Sequence, residues 1–261
     1  MDEKQVQAAA QLLWNTWQAG DTIEQLPQEC QPQSPADGHA IQAALQEVTG
    51  RGILGWKLAA TNETAQTYLG VDGPMAGRLF EGTLAEPSGT VSLAKNHMKA
   101  VEVEMAFRME KTLPAQSAPY SQADVLAHVG GLIPAIEIPD SRYTEFTKVG
   151  KSQLVADDAC ACCFILGDEA PSSWREADLA AHEVRLMING ELAGEGTGAN
   201  VLGDPRQALA WLANDLASRG HTLRAGEVIM TGTVVKPAAI QPGDHVVGDL
   251  GAFGSLEIRL S

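Results

Sequence analysis

The chain has 261 residues, of which 44% are hydrophobic and 20% charged, and its formal net charge is −15. This length allows one large domain or a main domain with a smaller lobe. Nucleic acid and acidic membrane surfaces are disfavoured as partners, because binding them needs clusters of Lys and Arg that the sequence lacks. No apolar run is long enough to cross a bilayer, and the acidic start differs from a secretory signal, so we expect a cytoplasmic protein.

Two amphipathic helices are predicted near the start of the chain. The first shows apolar residues at helical spacing and ends at a glycine. The second begins at a Ser34 cap, has Pro35 in its first turn and ends near Gly50. We therefore expect residues 1–50 to form a small helical N-terminal lobe and residues 51–261 to form a β-rich catalytic domain.

From residue 52 onward, short β-type runs alternate with Gly and Pro, which predicts a β-rich domain. Three helices are predicted within this region, over residues 63–68, 121–129 and 204–218. The fold class we predict is α+β. The predicted strands cover residues 55–60, 101–109, 133–138, 160–166, 184–188, 227–231, 245–249 and 255–260.

Two carboxylates, Glu102 and Glu104, alternate with aliphatic residues in one predicted strand. Residues at i and i+2 of a strand share a face, so both acids point to one side while apolar neighbours line the other. Glu137 lies alone in a second apolar strand. Three such carboxylates favour a hard divalent ion such as Mg²⁺ or Mn²⁺, because these ions prefer oxygen ligands. The alternative is a strand that is solvated on its Glu face.

Lys57 and Asp72 are two further candidates for chemistry. Lys57 stands alone between an indole and aliphatic residues in a predicted strand. It is suited to hold a substrate carboxylate, to act as an acid/base group or to form an imine, unless it extends to solvent from the strand end. Asp72 is presented by a loop shaped by two glycines and a proline, where a ligand can approach closely; an ordinary turn is the alternative.

Other motifs carry less information. The four cysteines lack zinc-site spacing, and we expect reduced, structural thiols in a reducing compartment: Cys30, Cys160, Cys162 and Cys163. Cys160 to Cys163 are predicted to lie in a buried strand. No two histidines stand at i+3 or i+4, and a nucleophile elbow and a Walker loop are absent from the sequence. The Gly-rich segment 194–200 resembles a phosphate loop only superficially.

Seven segments, in this order, resemble the signatures of the 2-keto-4-pentenoate hydratases. These enzymes and the 4-oxalocrotonate decarboxylases form a branch of the fumarylacetoacetate hydrolase superfamily. The resemblance runs from about residue 35 to the C-terminus. The segments are Gly55-Trp56-Lys57, Leu69-Gly70-Val71-Asp72, Glu102-Val103-Glu104, Ala135-Ile136-Glu137-Ile138-Pro139-Asp140-Ser141-Arg142, Leu154-Val155-Ala156-Asp157, Leu202-Gly203-Asp204-Pro205 and Met230-Thr231-Gly232-Thr233.

The resemblance implies a fumarylacetoacetate hydrolase-like mixed β-roll with a small helical N-terminal lobe. It implies that Glu102, Glu104 and Glu137 ligate Mg²⁺ or Mn²⁺, and that Lys57 and Asp72 are acid/base and substrate-orienting groups. It implies no organic cofactor. The implied reaction is hydration of a 2-hydroxy-2,4-dienoate, or of its 2-oxo tautomer, from meta-cleavage of aromatic rings. A homo-oligomer, associated with a decarboxylase of the same pathway, is also implied.

Three departures from the family pattern leave the substrate open. His39 stands where hydratases often have Tyr, Asp158 stands where Asn is common, and the Gly-rich segment ends in Ala199-Asn200. The alternatives are a 2-oxo-3-enedioate decarboxylase, a fumarylacetoacetate-type C–C hydrolase that uses His39, and a non-catalytic stabilising subunit. The presence of Lys57 and all three glutamates argues against the last of these.

Overall fold

The computed structural model describes residues 1–115 and 119–261. None of the helices in this described part is both long enough and apolar enough to span a membrane. The α-helices are α1 (Glu3–Ala19), α2 (Pro35–Thr49), α3 (Glu63–Leu69), α4 (Gln122–Leu126), α5 (Lys151–Ala156) and α6 (Pro205–Ser218). The strands are β1 (Ile53–Ala59), β2 (Met75–Phe80), β3 (Leu84–Ala85), β4 (Thr90–Val91), β5 (Ala100–Met109), β6 (Val129–Ile138), β7 (Cys163–Leu166), β8 (Glu183–Ile188), β9 (Glu191–Thr197), β10 (Val228–Thr233), β11 (Ala238–Ala239), β12 (His245–Asp249) and β13 (Ser255–Leu260).

The two N-terminal helices form as predicted. The Ser34 side chain accepts a hydrogen bond from the backbone of Asp37 at the start of α2, and both helices end at a glycine in the left-handed conformation. Their apolar faces pack together with residues from the rest of the chain, including Phe80, Tyr143 and Ala156. Helices α1 and α2 therefore share a hydrophobic cluster with β2 and α5.

The strands form two sheets. The larger sheet has the order β2-β1-β10-β5-β6-β7-β3, with β11 paired to β5, and the smaller has the order β4-β13-β12-β8-β9. Strands β1 and β10 are parallel, whereas β10, β5, β6 and β7 pair antiparallel in turn. The largest hydrophobic cluster joins residues of both sheets to the apolar face of α6. The α+β class predicted from the sequence is confirmed.

Several predicted bounds are wrong. Cys160 lies in a tight turn, and the strand begins only at Cys163, because the backbone from 158 to 160 is left-handed and cannot pair in a sheet. The Gly-rich segment 194–200 lies in β9 up to Thr197 and then forms a short 3₁₀ helix over Gly198–Asn200. Helix α4 ends at Leu126, because β6 begins at residue 129. Strand β2 and helix α5 were not predicted.

Strand β2 lies at one end of the larger sheet, and side chains from other elements satisfy two of its outward-facing backbone groups. The Nε2 of Gln42, in α2, donates to the carbonyl of Ala76 at 2.7 Å. The Asp158 carboxylate accepts from the backbone N–H of Arg78 at 2.7 Å. Helix α2 and the turn after α5 are therefore fastened to the edge of the sheet.

Candidate metal centre

Antiparallel pairing of β5 with β6 brings the three glutamates together. Glu102 lies directly opposite Glu137, and Glu104 lies opposite Ala135. One carboxylate oxygen from each glutamate lies within 4.8 Å of the others. Glu104 and Glu137 are buried and Glu102 is half-buried, while the intervening apolar residues Val101, Val103 and Met105 are buried in the core on the opposite face. The predicted sharing of one face by Glu102 and Glu104 fits this geometry.

Burial and mutual repulsion disfavour the ionised forms of these carboxyls. Burial, together with the charge on Glu137, raises the pKa of Glu102 to about 7. Burial and the two neighbouring carboxylates raise the pKa of Glu104 well above its usual range. Burial also raises the pKa of Glu137, although Lys57 opposes the shift. Without a cation, the cluster therefore tends to hold protons.

The oxygen atoms of the cluster fit a hard cation. One oxygen of Glu104, Oε2, accepts a hydrogen bond from the backbone N–H of Gly232 at 2.8 Å. The other oxygen, Oε1, and the Oε2 of Glu137 are buried and have no hydrogen-bond donor among the described residues. A buried carboxylate oxygen without a donor is costly unless a cation contacts it. The donor set consists of carboxylate oxygens alone, which Mg²⁺ and Mn²⁺ prefer.

Lys57 lies against this cluster, on β1. Its side chain is 3% exposed, and its Nζ lies 3.1 Å from Oε1 of Glu137. The same Nζ donates to the carbonyl oxygen of Ala159 at 3.0 Å. Burial lowers the pKa of Lys57, but attraction by Glu137, Glu102 and Glu104 outweighs burial and raises it overall. Lys57 is thus a buried ammonium, and it does not extend to solvent.

Asp72 lies apart from the other four predicted site residues. Its side chain is 87% exposed in the loop after α3, and its carboxylate pairs with Nζ of Lys151 at 2.5 Å. This pairing lowers the pKa of Asp72. In the described part of the chain, the structure brings Lys57 and the three glutamates together but does not bring Asp72 to them. The catalytic role of Asp72 stays a prediction.

A left-handed turn behind Lys57 was missed by the sequence reasoning. Asp158, Ala159 and Cys160 have φ values of 55°, 51° and 61°. For residues other than glycine this conformation costs on the order of 1–2 kcal/mol each. Asp158 is fully buried, and burial raises its pKa to about 7. One signal in the sequence was Asp158, since Asp and the Asn common in the family at this position adopt the left-handed conformation more often than most residues with a side chain. Ala159 and Cys160 give no such signal.

A glycine in β2 allows this turn to approach Lys57. A Cβ at position 77 would lie 2.3 Å from the carbonyl oxygen of Asp158 and 3.1 Å from Cγ and Cδ of Lys57. Gly232 meets a comparable constraint, because its φ is +106° and a Cβ would lie 2.3 Å from Oγ1 of Thr61. Both glycines therefore permit close packing around the candidate site.

Two other groups considered from the sequence lie elsewhere or are inert. Burial lowers the pKa of His39 to about 4. The neighbouring residues that also shift this pKa include Arg219, Asp215 and Gln42, none of which belongs to the carboxylate cluster. All four cysteines are free. Burial raises the pKa of Cys160 to about 12, so that its thiol stays protonated.

Known proteins share both this sequence and this fold. The family model described as "Fumarylacetoacetate (FAA) hydrolase C-terminal" matches residues 59–261. The chain is 32% identical over 259 residues to 2-keto-4-pentenoate hydratase of Paraburkholderia xenovorans (strain LB400), covering 98% of this chain and 95% of that protein. It is 31% identical over 262 residues to a 4-oxalocrotonate decarboxylase of Pseudomonas putida, covering 99% and 98%.

A solved structure extends the similarity to three dimensions. The 4-oxalocrotonate decarboxylase from Pseudomonas putida G7, complexed with magnesium and adipate, matches with a TM-score of 0.91 at 30% identity. The match covers 100% of this chain and 99% of that chain. The chain therefore belongs to the fumarylacetoacetate hydrolase family, within the branch of 2-keto-4-pentenoate hydratases and 4-oxalocrotonate decarboxylases that the order of its motifs predicts.

Proposed function

We propose that the chain is a metal-dependent hydratase that adds water to a 2-hydroxy-2,4-dienoate of the 2-keto-4-pentenoate type, in the catabolism of aromatic compounds. One observation carries the proposal: three carboxylates converge within 4.8 Å, and Nζ of the buried Lys57 lies 3.1 Å from one of them. Such a site binds a divalent cation and a 2-oxo acid together, although the net charge of −15 opposes anion binding elsewhere. The similarity to a 2-keto-4-pentenoate hydratase supports the substrate class.

Glu102, Glu104 and Glu137 would hold Mg²⁺ or Mn²⁺. Such an ion, when bound, supplies Lewis-acid stabilisation for negative charge on the 2-oxygen of the substrate. The backbone N–H of Gly232 donates to one oxygen of Glu104 and so fixes the orientation of that carboxylate. No organic cofactor is needed, because the reaction moves only protons and water.

Lys57 would stabilise charge and transfer a proton at this site. Hydration requires a proton at the far end of the dienol and then water at C4, the carbon that becomes electrophilic. A charged, buried ammonium 3.1 Å from Glu137 is placed to donate such a proton or to stabilise the anionic substrate. We infer that Lys57 forms no imine, because an imine at C2 would replace the oxygen that the cation requires.

Asp72 would orient the substrate or act as an acid/base group, as the family resemblance implies. Its carboxylate pairs with Lys151 and is 87% exposed. The proposed role therefore requires the loop that carries Asp72 to reach the substrate when the substrate binds.

A decarboxylase is the second candidate. The solved structure with a TM-score of 0.91 is that of a 4-oxalocrotonate decarboxylase complexed with magnesium and adipate. A decarboxylase would use the same carboxylates and the same lysine, and would differ in how it receives the second carboxylate of a 2-oxo-3-enedioate.

An assay of two substrates tests the proposal. Purified protein is stripped with a chelator, reloaded with Mg²⁺ or Mn²⁺, and incubated with 2-hydroxypenta-2,4-dienoate or 2-oxo-3-hexenedioate. We expect metal-dependent hydration of the first and no CO₂ release from the second. Turnover in metal-free protein would refute the metal requirement, and CO₂ release without hydration would establish the decarboxylase. If the folded, metal-loaded protein turned over neither compound, the stabilising-subunit alternative would gain support.

The Lys57→Ala variant tests the lysine in the same assay. We expect kcat to fall by about 100-fold or more, the usual scale for a positioned acid/base group, with bound metal at the wild-type level. Borohydride added during turnover should leave Lys57 unmodified. A substrate adduct on Lys57, found by mass spectrometry, would show the imine mechanism instead.

A further inference from the structure

The left-handed turn at residues 158–160 contacts Lys57 directly. The carbonyl oxygen of Ala159, the central residue of the turn, accepts the hydrogen bond from Nζ of Lys57 at 3.0 Å. Asp158, Ala159 and Cys160 all have positive φ values, which residues with a side chain rarely adopt. Such a backbone persists only where the surrounding structure holds it in place, and strained segments of this kind cluster at functional sites.

A buried ion pair holds both ends of this turn. The Arg142 guanidinium donates through Nε to the carboxylate of Asp157, and through Nη2 to the backbone carbonyl of Asp157, the residue before the turn. Its Nη1 donates at 3.0 Å to the carbonyl of Ala161, the residue after the turn. Ser141 Oγ donates to the Asp157 carboxylate at 2.6 Å. Arg142 is 2% exposed and Asp157 is fully buried.

The proposed role of Lys57 leaves this ion pair unexplained, since neither Arg142 nor Asp157 contacts the carboxylate cluster in the described structure. An ion pair of this kind needs strong compensation, because taking two charges out of water is costly. The contacts of Arg142 converge on the backbone that carries the Ala159 carbonyl. Among the described residues, that carbonyl and Glu137 are the two groups that contact the Lys57 ammonium at hydrogen-bond or ion-pair distance.

We propose that Asp157 and Arg142 are positioning residues for Lys57: together they hold the left-handed turn in the shape that directs the Ala159 carbonyl at the Lys57 ammonium and so keeps that ammonium beside Glu137. This inference rests on the proposed function, in which Lys57 acts on the substrate. Asp157 does not touch the substrate; it acts through the turn and Lys57.

The Asp157→Asn variant tests the proposal. The amide keeps the shape of the side chain, and Arg142 keeps its bonds to backbone carbonyls, so the variant loses the charge that orients the guanidinium. In Mg²⁺-loaded protein with 2-hydroxypenta-2,4-dienoate, we expect kcat to fall by about tenfold or more, with KM and the Mg²⁺ dissociation constant changed less than about twofold. Wild-type kcat in Asp157→Asn would overturn the inference.

A double-mutant cycle separates positioning from general destabilisation. In a Lys57→Met background, Asp157→Asn should change the residual rate by less than about twofold, because residues that act through one group are not additive. If the two losses multiplied, the positioning role would be refuted while the proposed function stood. Full activity of Lys57→Met would refute the role of Lys57 and this inference together.

A direct observation of the ammonium gives a readout that needs no turnover. In protein labelled with ¹⁵N-lysine, the Lys57 ammonium signal is assigned by its absence in Lys57→Met, and its burial and hydrogen bonding favour slow proton exchange. We expect Asp157→Asn to shift or lose this signal. An unchanged signal in folded Asp157→Asn would overturn the proposal.

Two further variants provide a substitute for Asp157→Asn, should that variant not fold, and a matched control. If Asp157→Asn does not fold, Ser141→Ala removes the 2.6 Å bond to Asp157, together with the 3.1 Å bond that Ser141 Oγ accepts from the backbone N–H of Tyr143. This variant should shift the same ammonium signal, and an unshifted signal would refute the inference. Asp244→Asn is the matched control, because Asp244 is a buried aspartate hydrogen-bonded to Asn189 and Gln241 away from the turn. Both kcat and the Lys57 signal should stay at wild-type values in this control.

Discussion

At the scale of single residues, the three glutamates place three carboxyl groups together in a largely buried cluster. Glu104 and Glu137 are at most 1% exposed, and each has an oxygen without a donor among the described residues. Lys57 supplies one positive charge against three carboxylates. The metal-free chain must therefore bind extra protons or tolerate buried negative charge, and either choice lowers its stability.

Glu104→Gln should have opposite effects on the metal-free and the metal-loaded protein. The amide removes one of three repelling carboxylates, so the free energy of unfolding of the metal-free protein should rise by on the order of 1 kcal/mol. With excess Mg²⁺, the variant should gain less stability than wild type, because one ligand charge is gone. Thermal unfolding with and without Mg²⁺ measures both effects. A variant stabilised by Mg²⁺ as strongly as wild type would contradict the assignment of Glu104 as a ligand.

Glu102 should make the metal-free protein less stable as the pH rises. Its pKa is raised from 4.5 to about 7, so between these values the native state keeps a proton that the unfolded state has released. Raising the pH through this window therefore favours unfolding. Relative to Glu102→Gln, wild-type protein should lose on the order of 1–2 kcal/mol between about pH 5 and about pH 7.5, measured by urea unfolding in the presence of a chelator.

His39 acts in the opposite direction and makes the comparison with a variant necessary. Its pKa is lowered from 6.5 to about 4, so the unfolded state binds more protons in that window and stability rises with pH. Because His39 is present in both proteins, its contribution cancels in the difference. Parallel pH profiles for wild type and Glu102→Gln would contradict the raised pKa of Glu102.

At the scale of elements, strand alternation predicted the face of Glu102 and Glu104 but not their partner. Period-two alternation is local, so it is readable from the sequence. The register that sets Glu102 opposite Glu137 depends on the pairing of β5 with β6, and period-two alternation within one strand does not specify that pairing. For this link between Glu137 and the other two acids, the family resemblance supplied what periodicity did not.

The turn after α5 shows why part of the site was not predictable. The strand was predicted to begin at Cys160, because local propensity does not include tertiary hydrogen bonds. The left-handed backbone there is held by Arg142 and by the edge of β2, both remote in sequence. Ala159 contacts Lys57 through its backbone carbonyl oxygen. Every residue has such a carbonyl, so the identity of the side chain does not predict this contact.

Gly77→Ala should destabilise the protein although it adds only one methyl group, because that group would clash with the turn at residues 158–160. The new Cβ would lie 2.3 Å from the carbonyl oxygen of Asp158, which belongs to a backbone that cannot move freely. We expect the free energy of unfolding to fall by about 1–3 kcal/mol, the usual cost of overpacking, as measured by urea unfolding. Gly73→Ala is the control, since the nearest atom to its Cβ would be Lys151 Nζ at 3.9 Å. Equal stabilities of the two variants would count against the predicted close contact.

At the scale of the whole molecule, the α+β class and the family were predictable, whereas the domain division stays a prediction. Composition and alternating apolar runs were enough for the class. We still propose a helical lobe over residues 1–50 and a catalytic domain over residues 51–261. Phe80, Tyr143 and Ala156 pack in one cluster with α1 and α2, so the proposed lobe is bound tightly to the rest.

We expect the protein to be a homo-oligomer, as its family resemblance implies. Large apolar side chains are exposed at Tyr68, Leu84 and Leu192, with relative exposures of 65%, 43% and 54%, and an interface would cover such residues. Light scattering after size-exclusion chromatography should give a mass several times the 27.6 kDa of one chain. A mass near 27.6 kDa at micromolar concentration would refute the expectation.

The fastening of β2 by Gln42 and Asp158 has a consequence for solubility. A free strand edge is a template on which a foreign strand can add, and that addition starts aggregation. Gln42 occupies the carbonyl of Ala76 and Asp158 occupies the N–H of Arg78, so an incoming strand finds these two groups already bonded. The turn at residues 158–160, which accepts a hydrogen bond from Lys57, thus also occupies a backbone group at the edge of the sheet. The same short segment therefore contacts both Lys57 and the edge strand.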